Sequence, residues 1–280
     1  MSKKLGFVDL YIDEWHANNY PNWIKEARET TGLDYELTFA YGKYDNPTGR
    51  TTAKWCEDFG VTMCATIEEL CEKSDAIFVL APSNPESHLE LASAVLPFGK
   101  PTFIDKTFAP DLETAKKIFA IAEKFNTPFF SSSALRYAAE LDEIENVKGF
   151  TVMGGGSNLP EYFIHLGEMT IRTFHDKPIR VRSEKTAGIV AIDAVFPGDR
   201  EAHLLWGPAF PYNFHVSTFG GAYCYKACNS AFFPRLLCDC LRFFDTKKAP
   251  FDPAETLNIM SFRDAALTSF ENGGEWVETK

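Results

Sequence analysis

Hydrophobic and polar positions follow two different patterns along this chain. Over the first 130 residues, short apolar segments such as "KLGFVDL", "AIFVLA" and "PTFID" alternate with amphipathic segments such as "DLETAKKIFAIAEKF". Strands that alternate with helices in this way form βαβ units around a buried parallel sheet. Because such crossovers are right-handed, we predict an α/β chain that begins with a Rossmann-like, doubly wound domain.

From about Lys148 the pattern changes to successive strands. These are "KGFTVM", "IRVRSE", "GIVAIDAVF", "AHLLW", "NFHVSTF" and "AYCYKA", with helices over "EYFIHLGEMTIRTF", "FFPRLLCDCLRFFD" and "DPAETLNIMSFRDAALTSF". Consecutive strands with segregated helices indicate an α+β domain with a mostly antiparallel, open sheet. We therefore predict a Rossmann-like domain over residues 1–130 and an α+β domain over residues 131–280.

Composition and charge narrow the classes of function. Of the 280 residues, 45% are hydrophobic and 24% are charged, and the formal net charge is -11. An acidic surface argues against nucleic-acid binding, which uses clustered lysine and arginine. The longest apolar stretches are far shorter than a membrane span, and "MSKKLGF" lacks the apolar core of a secretory signal. We expect a cytoplasmic protein with neither nucleic acid nor membrane as a partner.

The seven cysteines fit reduced thiols better than a disulfide framework, since no secretory signal is present. Cys224, Cys228, Cys238 and Cys240 form a C-x3-C pair and a C-x-C pair, which can be drawn as a metal site. The spacing matches no common zinc pattern, and the flanking residues resemble a strand and a core helix. We predict no metal.

Ligands of a doubly wound sheet bind beyond the carboxyl ends of its strands. Lys106 stands there, directly after the strand "PTFID". Its ammonium can hydrogen-bond a substrate hydroxyl or lower the pKa of that hydroxyl. From position alone, a solvated lysine in a loop is the alternative interpretation.

Two segments together resemble the Gfo/Idh/MocA family, named for glucose-fructose oxidoreductase and inositol dehydrogenase. They are "SDAIFVLAPSNPESHLELASAVLPFGKPTFIDKTFAPDLETAKKIFAIAEKF", which resembles the family's run from its fourth strand to its Glu-Lys-Pro motif, and "PFDPAETLNIMSFRDAALTSFENGGEWV", which resembles its C-terminal helix. The resemblance extends, with gaps, over nearly the whole chain. It implies an oxidoreductase that uses NAD or NADP and acts on a hydroxyl of a sugar-like or cyclitol-like substrate. It also implies a homo-oligomer, a dimer or tetramer, formed through the exposed sheet face of the second domain.

The resemblance implies two catalytic positions. Lys106 corresponds to the lysine of Glu-Lys-Pro, although this chain reads Asp105-Lys106-Thr107, with a shorter acid and without the proline that would fix the backbone. His165, in "YFIHLGEMTI", corresponds to a histidine that takes the proton of an alcohol while its hydride leaves for the nicotinamide. Glu168, one helical turn further on, is expected to orient the imidazole. An ion-paired histidine on a helix surface is the alternative.

Further residues are assigned by position and resemblance. The predicted cofactor-binding residues are Asp9, Leu10, His16, Pro82, Asn84, His88 and Lys106. For His88 a structural role is the alternative. The predicted substrate-binding residues are Arg136, Tyr137 and Tyr162, and an interdomain salt bridge is the alternative role for Arg136.

The first strand-turn-helix segment departs from the dinucleotide-binding pattern. Aligned with G-x-G-x-x-G, "VDLYIDEWH" has Asp9, Tyr11 and Glu14 in place of the glycines that let the backbone approach a pyrophosphate. If these acids and Asp13 all point inward, ordinary binding is excluded, because the N–H groups at a helix start normally receive the anion. However, "VDLYIDEWH" also resembles a divergent branch of the same family whose first loop lacks the glycines. This resemblance implies a loop rebuilt around Asp9 and His16, while Asp13 and Glu14 turn to solvent or cap the helix.

Two questions stay open from the sequence. Lys43 or Arg50, after the second strand, could meet the 2′-phosphate of NADP. The function also has alternatives: a non-catalytic family member with a degenerate cofactor loop, acting as a ligand-binding or partner protein, or a hydrolase or lyase that uses His165 with Glu168. Dependence on zinc or manganese would indicate the last of these.

Overall fold

The structure, a computed structural model, describes residues 2–210, 212, 214–221 and 223–280. Its strands are β1 (Lys3–Tyr11), β2 (Tyr35–Tyr44), β3 (Thr62–Met63), β4 (Ala76–Val79), β5 (Thr102–Asp105), β6 (Phe129–Ser132), β7 (Gly149–Gly154), β8 (Arg180–Thr186), β9 (Ile189–Phe196), β10 (Arg200–Trp206), β11 (His215–Phe219), β12 (Tyr225–Ala227) and β13 (Val277–Glu278). Its α-helices are α1 (Trp15–Thr31), α2 (Thr52–Phe59), α3 (Ile67–Lys73), α4 (His88–Val95), α5 (Leu112–Lys124), α6 (Leu159–Phe174), α7 (Phe232–Thr246) and α8 (Ala254–Glu271). Short 3-10 helices occupy Pro85–Ser87, Leu96–Phe98, Ala134–Tyr137 and Ala139–Leu141.

The chain forms two compact units. The first contains Met1–Ser132 and Phe233–Pro253, and the second contains Ser133–Phe232 and Ala254–Lys280. The sequence-based division assigned everything after residue 130 to the second domain. In the structure, residues 233–253 return to the first unit.

The first unit is built on a six-stranded parallel sheet with the order β3-β2-β1-β4-β5-β6. This strand order is that of the dinucleotide-binding fold, so the prediction of a Rossmann-like domain is confirmed. All four residues of β4 are buried, as expected for a central strand covered by helices on both faces.

Local signals in the sequence set several helix starts in this unit. Thr66 Oγ1 accepts a hydrogen bond from Glu69 N at 3.1 Å, and Glu69 Oε2 accepts one from Ala65 N at 2.8 Å. The side chains of Thr66 and Glu69 therefore satisfy N–H groups that have no partner inside α3. The helix start predicted from "TIEELCEKS" is confirmed.

Aromatic packing explains why α7 belongs to the first unit. The ring of Phe243 lies 4.9 Å from that of Phe130 on β6, and the ring of Phe244 lies 5.0 Å from that of Phe78 on β4. Each such side chain removes a large apolar area from water, so the apolar face of α7 is stabilised on the parallel sheet. Chain order alone had placed this helix with the antiparallel sheet.

The second unit is built on a seven-stranded sheet with the order β12-β11-β7-β10-β9-β8-β13. Only β7 and β10 pair in parallel, and the other neighbours are antiparallel, which confirms the predicted α+β architecture. Phe163 on α6 packs against Phe262 on α8 with ring centroids 5.0 Å apart, and Phe196 on β9 lies 6.1 Å from Phe262. Along the described residues, no helix combines the length and the hydropathy needed to cross a membrane.

Candidate functional site

The first strand continues through the position where a glycine loop would begin. β1 pairs with β2 as far as Tyr11 and Tyr44, and the next residue, Ile12, is 1% exposed. A Cβ added to Gly42 would lie 2.6 Å from Thr52 Oγ1 and 3.4 Å from Ile12 Cβ. The turn that leads into α1 is therefore packed with side chains rather than formed from open backbone.

Asp13, the second acid of this segment, is paired with Arg50. Its Oδ2 accepts a hydrogen bond from Arg50 N at 2.6 Å, and its Oδ1 accepts from Arg50 Nη2 at 2.7 Å and Asn18 Nδ2 at 2.9 Å. These hydrogen bonds, those from the Arg50 side chain first, lower the pKa of Asp13 to about 2. Lys43 likewise binds both oxygens of Glu90, at 2.5 and 2.7 Å. Both cations considered for a 2′-phosphate thus already have carboxylate partners.

Glu14 is the N-cap of α1. Its Oε2 accepts a hydrogen bond from His16 N at 2.7 Å, and its Oε1 accepts one from Ala17 N at 2.5 Å. The sequence left open whether Glu14 points inward, turns to solvent or caps the helix; in the structure it caps the helix. N–H groups at a helix start are the donors that bind phosphates in Rossmann folds. In this arrangement the start of α1 does not fit a dinucleotide pyrophosphate, because a carboxylate already holds its donors.

Asp9 is buried at the end of β1. Its Oδ1 accepts a hydrogen bond from Tyr11 N at 3.2 Å, whereas its Oδ2 has no hydrogen-bond partner among the described residues. Burial raises the pKa of Asp9 well above its usual range, and the charge of Glu14 adds to this. His16 does not pair with Asp9: its Nδ1 lies 3.3 Å from Glu14 Oε2 and its Nε2 lies 3.8 Å from Asp105 Oδ2.

Lys106 is held in place at the end of β5. The residue is 8% exposed, and its Nζ donates a hydrogen bond to Pro82 O at 3.2 Å. Its backbone N donates to Asp105 Oδ1 at 2.8 Å, and the same oxygen accepts from Tyr20 OH at 3.4 Å. The lysine is therefore aimed by the turn after β4, although the family's proline is absent. An ammonium has three donors, so the bond to Pro82 leaves donors for a substrate hydroxyl.

His88 has a structural position. It is fully buried, its Nδ1 lies 3.0 Å from Phe108 O, and its Nε2 lies 2.6 Å from Leu80 O. Burial lowers the pKa of the imidazole. The ring thus ties the end of β4 to the segment after β5, in place of the predicted contact with a cofactor. Asn84 and Leu10 are half-buried, and their cofactor roles stay predictions.

In the second unit, His165 lies on α6 with both ring nitrogens near hydroxyl groups. Nδ1 lies 2.7 Å from Ser133 Oγ, and Nε2 lies 3.4 Å from Tyr212 OH. The rings of Tyr162 and Phe214 each lie 5.7 Å from the imidazole in edge-to-face contact. The imidazole is 5% exposed and is fixed in orientation by these neighbours.

Two of these neighbours were not identified from the sequence. Ser133 follows β6 in "SSSALRY", where its place after a buried strand was a usable signal. Tyr212 stands in the connection between β10 and β11, in which nothing in the pattern marks it. Only the folded chain brings it to His165.

A buried ion-pair cluster supports the same helix. Arg136 Nη1 lies 3.0 Å from Glu168 Oε1, its Nη2 binds Glu255 Oε2, and Glu168 Oε2 accepts a hydrogen bond from Ser133 N at 3.3 Å. Burial acts to lower the pKa of Arg136, but the charges of Glu168 and Glu255 outweigh it and raise that pKa. Glu168 is thus linked to His165 through Ser133. Arg136, Glu168 and Glu255 all belong to the second unit, so these two ion pairs lie within it.

The substrate-binding roles of Arg136, Tyr137 and Tyr162 are not decided by these positions. Arg136 is 5% exposed, whereas Tyr137 and Tyr162 are half-buried. All three stay predictions.

The four clustered cysteines of the sequence are divided between the units. Cys224 and Cys228 belong to the second unit, and Cys238 and Cys240 belong to the first. In the part of the chain that the structure describes, no group of three or more His, Cys, Asp or Glu residues is arranged to hold a metal ion.

One comparison with known proteins gives a match within the first unit. Residues 26–132 match a family model described as "Oxidoreductase family, NAD-binding Rossmann fold". A search of curated proteins gives no match.

Solved structures with the same fold include three dehydrogenases. One is myo-inositol dehydrogenase from Lactobacillus casei in complex with NAD(H) and myo-inositol, with a TM-score of 0.80, 12% identity, and coverage of 100% of this chain and 97% of that one. Another is myo-inositol 2-dehydrogenase from Lactobacillus plantarum, with a TM-score of 0.79, 12% identity and coverage of 100% of both chains. The third is UDP-N-acetylglucosamine 3-dehydrogenase from Acidithiobacillus ferrooxidans, with a TM-score of 0.76, 11% identity, and coverage of 98% of this chain and 99% of that one.

At 11% to 12% sequence identity, these structures show a shared fold and nothing more specific. The match of the family model concerns the sequence of the Rossmann unit from the middle of α1 to the end of β6. The matched model is that of the Gfo/Idh/MocA oxidoreductases, and the similarity it shows is limited to residues 26–132.

Proposed function

We propose that this protein is an NAD(P)-dependent oxidoreductase that acts on a hydroxyl group of a sugar-like or cyclitol-like substrate. The observation that carries the proposal is Lys106, an ammonium that is 8% exposed at the end of β5 and is aimed by Pro82 and Asp105. Its unit has the strand order of dinucleotide-binding folds and matches an NAD-binding family model. Two of the similar structures named above are myo-inositol dehydrogenases, which supports the proposed class of substrate.

Two residues supply the proposed acid-base chemistry. In the first unit, the Lys106 ammonium is proposed to hydrogen-bond a hydroxyl and lower its pKa; in the second unit, His165 is proposed as a group that accepts a proton. Ser133 Oγ lies 2.7 Å from Nδ1 of His165 and orients the ring, and Nε2, 3.4 Å from Tyr212 OH, is the nitrogen proposed to take the proton. Glu168 is a positioning residue in this proposal, because it bonds Ser133 and Arg136.

Binding of a dinucleotide is the decisive test of this function. Calorimetric titration of the purified protein with NAD, NADH, NADP and NADPH is expected to give saturable binding for at least one of them. Activity is then measured with the bound dinucleotide and a panel of aldoses and cyclitols. If none of the four binds at millimolar concentration, the proposed function is wrong.

A second candidate is a non-catalytic family member that acts as a ligand-binding or partner protein. The observation in its favour is Glu14, whose carboxylate holds the donors at the start of α1. The two candidates differ in one result. Saturable binding of a dinucleotide, together with turnover that is lost in a Lys106 variant, would exclude the non-catalytic candidate.

We also propose that the protein is a homo-oligomer formed through the open face of the second sheet. Met153 and Leu205 are half-buried on adjacent strands there, and Phe219 is 42% exposed. Apolar side chains side by side on an exposed sheet favour contact with a second copy. Sedimentation at micromolar concentration is expected to give a dimer or tetramer, and Leu205→Glu is expected to dissociate it. A monomeric wild-type protein would contradict this proposal.

A further inference from the structure

The backbone N–H groups at the start of α1 already bind a carboxylate, which is the side chain of Glu14. We propose that Glu14 determines how tightly this protein binds a dinucleotide: its carboxylate occupies two N–H groups of α1, and a pyrophosphate binds there only by displacing it. This inference rests on the proposed function.

The Glu14 carboxylate accepts hydrogen bonds from N–H groups of the kind that bind phosphates at helix starts. Each carboxylate oxygen takes one of two successive backbone N–H groups, from His16 at 2.7 Å and from Ala17 at 2.5 Å. α1 has 17 residues, and its aligned peptide dipoles favour a negative charge at this end. Oε2 also lies 3.3 Å from Nδ1 of His16, which adds a contact to the ring. A dinucleotide therefore competes with a carboxylate that is tethered to the site.

Asp9 is a second, independent observation at the same end of the sheet. It is 1% exposed, and its Oδ2 has no hydrogen-bond partner among the described residues. A buried polar oxygen without a partner has a hydrogen-bond capacity that a ligand or a water can satisfy. Asp9 is close enough to Glu14 for the charge of Glu14 to help raise its pKa.

Asp9 and Glu14 lie outside the part of the chain that matches the family model. The family model matches from residue 26, within α1, so Asp9 and Glu14 both precede the matched residues. The parallel sheet has the strand order of dinucleotide-binding folds, and the end of β1 and the turn that leads into α1 contain these acids. The rebuilt turn thus changes how strongly the pyrophosphate is bound and leaves the fold unchanged.

The Glu14→Ser variant tests the effect of the carboxylate separately from the effect of the helix cap. Serine is also a preferred N-cap residue, so α1 keeps a side-chain partner for its first N–H groups while the charge is removed. Glu14→Asp is the conservative variant, because it keeps both the cap and the charge. Asp111→Ser is the matched control, since Asp111 caps α5 in the same unit with its Oδ1 2.6 Å from Thr114 N.

The experiment measures the affinity of the four proteins for NADH, NADPH, ADP-ribose and adenosine by calorimetry. Glu14→Ser is expected to bind ADP-ribose and at least one dinucleotide about tenfold more tightly than the wild type, which corresponds to about 1.4 kcal/mol. Its affinity for adenosine, which has no phosphate, is expected to stay unchanged. Glu14→Asp and Asp111→Ser are expected to bind all four compounds as the wild type does. Thermal unfolding shows whether each variant is folded.

The outcomes separate this inference from the function on which it rests. If the wild type binds a dinucleotide and folded Glu14→Ser binds it no better, Glu14 does not compete with the pyrophosphate and the inference is overturned, while the proposed function stands. A gain that appears equally with adenosine or in Asp111→Ser also overturns it. If neither the wild type nor Glu14→Ser binds any dinucleotide, the proposed function fails and this inference fails with it.

Discussion

Replacing Lys106 with methionine is expected to lower turnover about 10²–10⁴-fold, the range that one positioned acid-base group contributes. Methionine keeps the length and most of the apolar stem of lysine, so the buried site stays packed while the ammonium is lost. The hydrogen bond from Nζ to Pro82 O, 3.2 Å long, is lost as well. The measurement is turnover with the best substrate of the aldose and cyclitol panel, together with the affinity for the dinucleotide.

Lys116→Met is the matched control for this prediction. The Lys116 side chain is 49% exposed on α5 and pairs with Glu113, so its loss is expected to leave turnover unchanged. The same assay applied to His165→Gln tests the second proposed acid-base residue. Wild-type turnover in a folded Lys106→Met protein would remove Lys106 from the mechanism.

Replacing Arg136 with methionine is expected to lower the free energy of unfolding by about 3–5 kcal/mol, the usual result of breaking a buried ion pair. Arg136 is 5% exposed and carries Glu168 and Glu255 on its two terminal nitrogens. Without the guanidinium, two carboxylates stay buried with their main cationic partner gone. Urea unfolding measures the loss.

The control and the rescue make this prediction specific. Arg172→Met removes an ion pair with Asp142 whose side chains are 22% and 41% exposed, and such a pair contributes only about 0–1 kcal/mol. The triple variant with Arg136→Met, Glu168→Gln and Glu255→Gln is expected to recover part of the stability, because the uncompensated charges are removed. If Arg136→Met costs no more than Arg172→Met, the cluster does not stabilise the second unit.

Local patterns sufficed to predict the elements and the fold class. The segment "AIFV" is apolar throughout and forms a central strand that is buried at all four positions. Thr66 and Glu69 mark a helix start that the structure has. These signals are reliable because a buried strand and a helix cap depend on neighbours within a few residues.

The local sequence pattern does not predict which unit α7 packs in. Its apolar face was evident in "FFPRLLCDCLRFFD", yet the sequence does not tell which sheet covers that face. Contacts of Phe243 and Phe244 with β6 and β4 assign the helix to the first unit. The choice depends on side chains more than 100 residues away in the chain.

For the candidate site residues too, the sequence predicted some features and the fold decided others. Lys106 and His165 were predicted as site residues because strand ends, helix positions and a family resemblance can be recognised in the sequence. The partners of these residues were not: Ser133 and Tyr212 at His165, and Pro82 at Lys106, are brought there by the fold. For His88 the sequence left a cofactor contact and a structural role open, and in the structure two backbone carbonyls hold its imidazole in the core.

By itself, the sequence determined a Rossmann-like unit followed by an α+β unit, a Gfo/Idh/MocA resemblance, and a first loop with acids in place of glycines. Only the tertiary structure decided where those acids go. Asp13 pairs with Arg50, Glu14 caps α1, and Asp9 is buried beside the strand end. The physical reason is that a carboxylate takes the strongest donors within its reach, and the fold, rather than the order of residues, sets which donors those are.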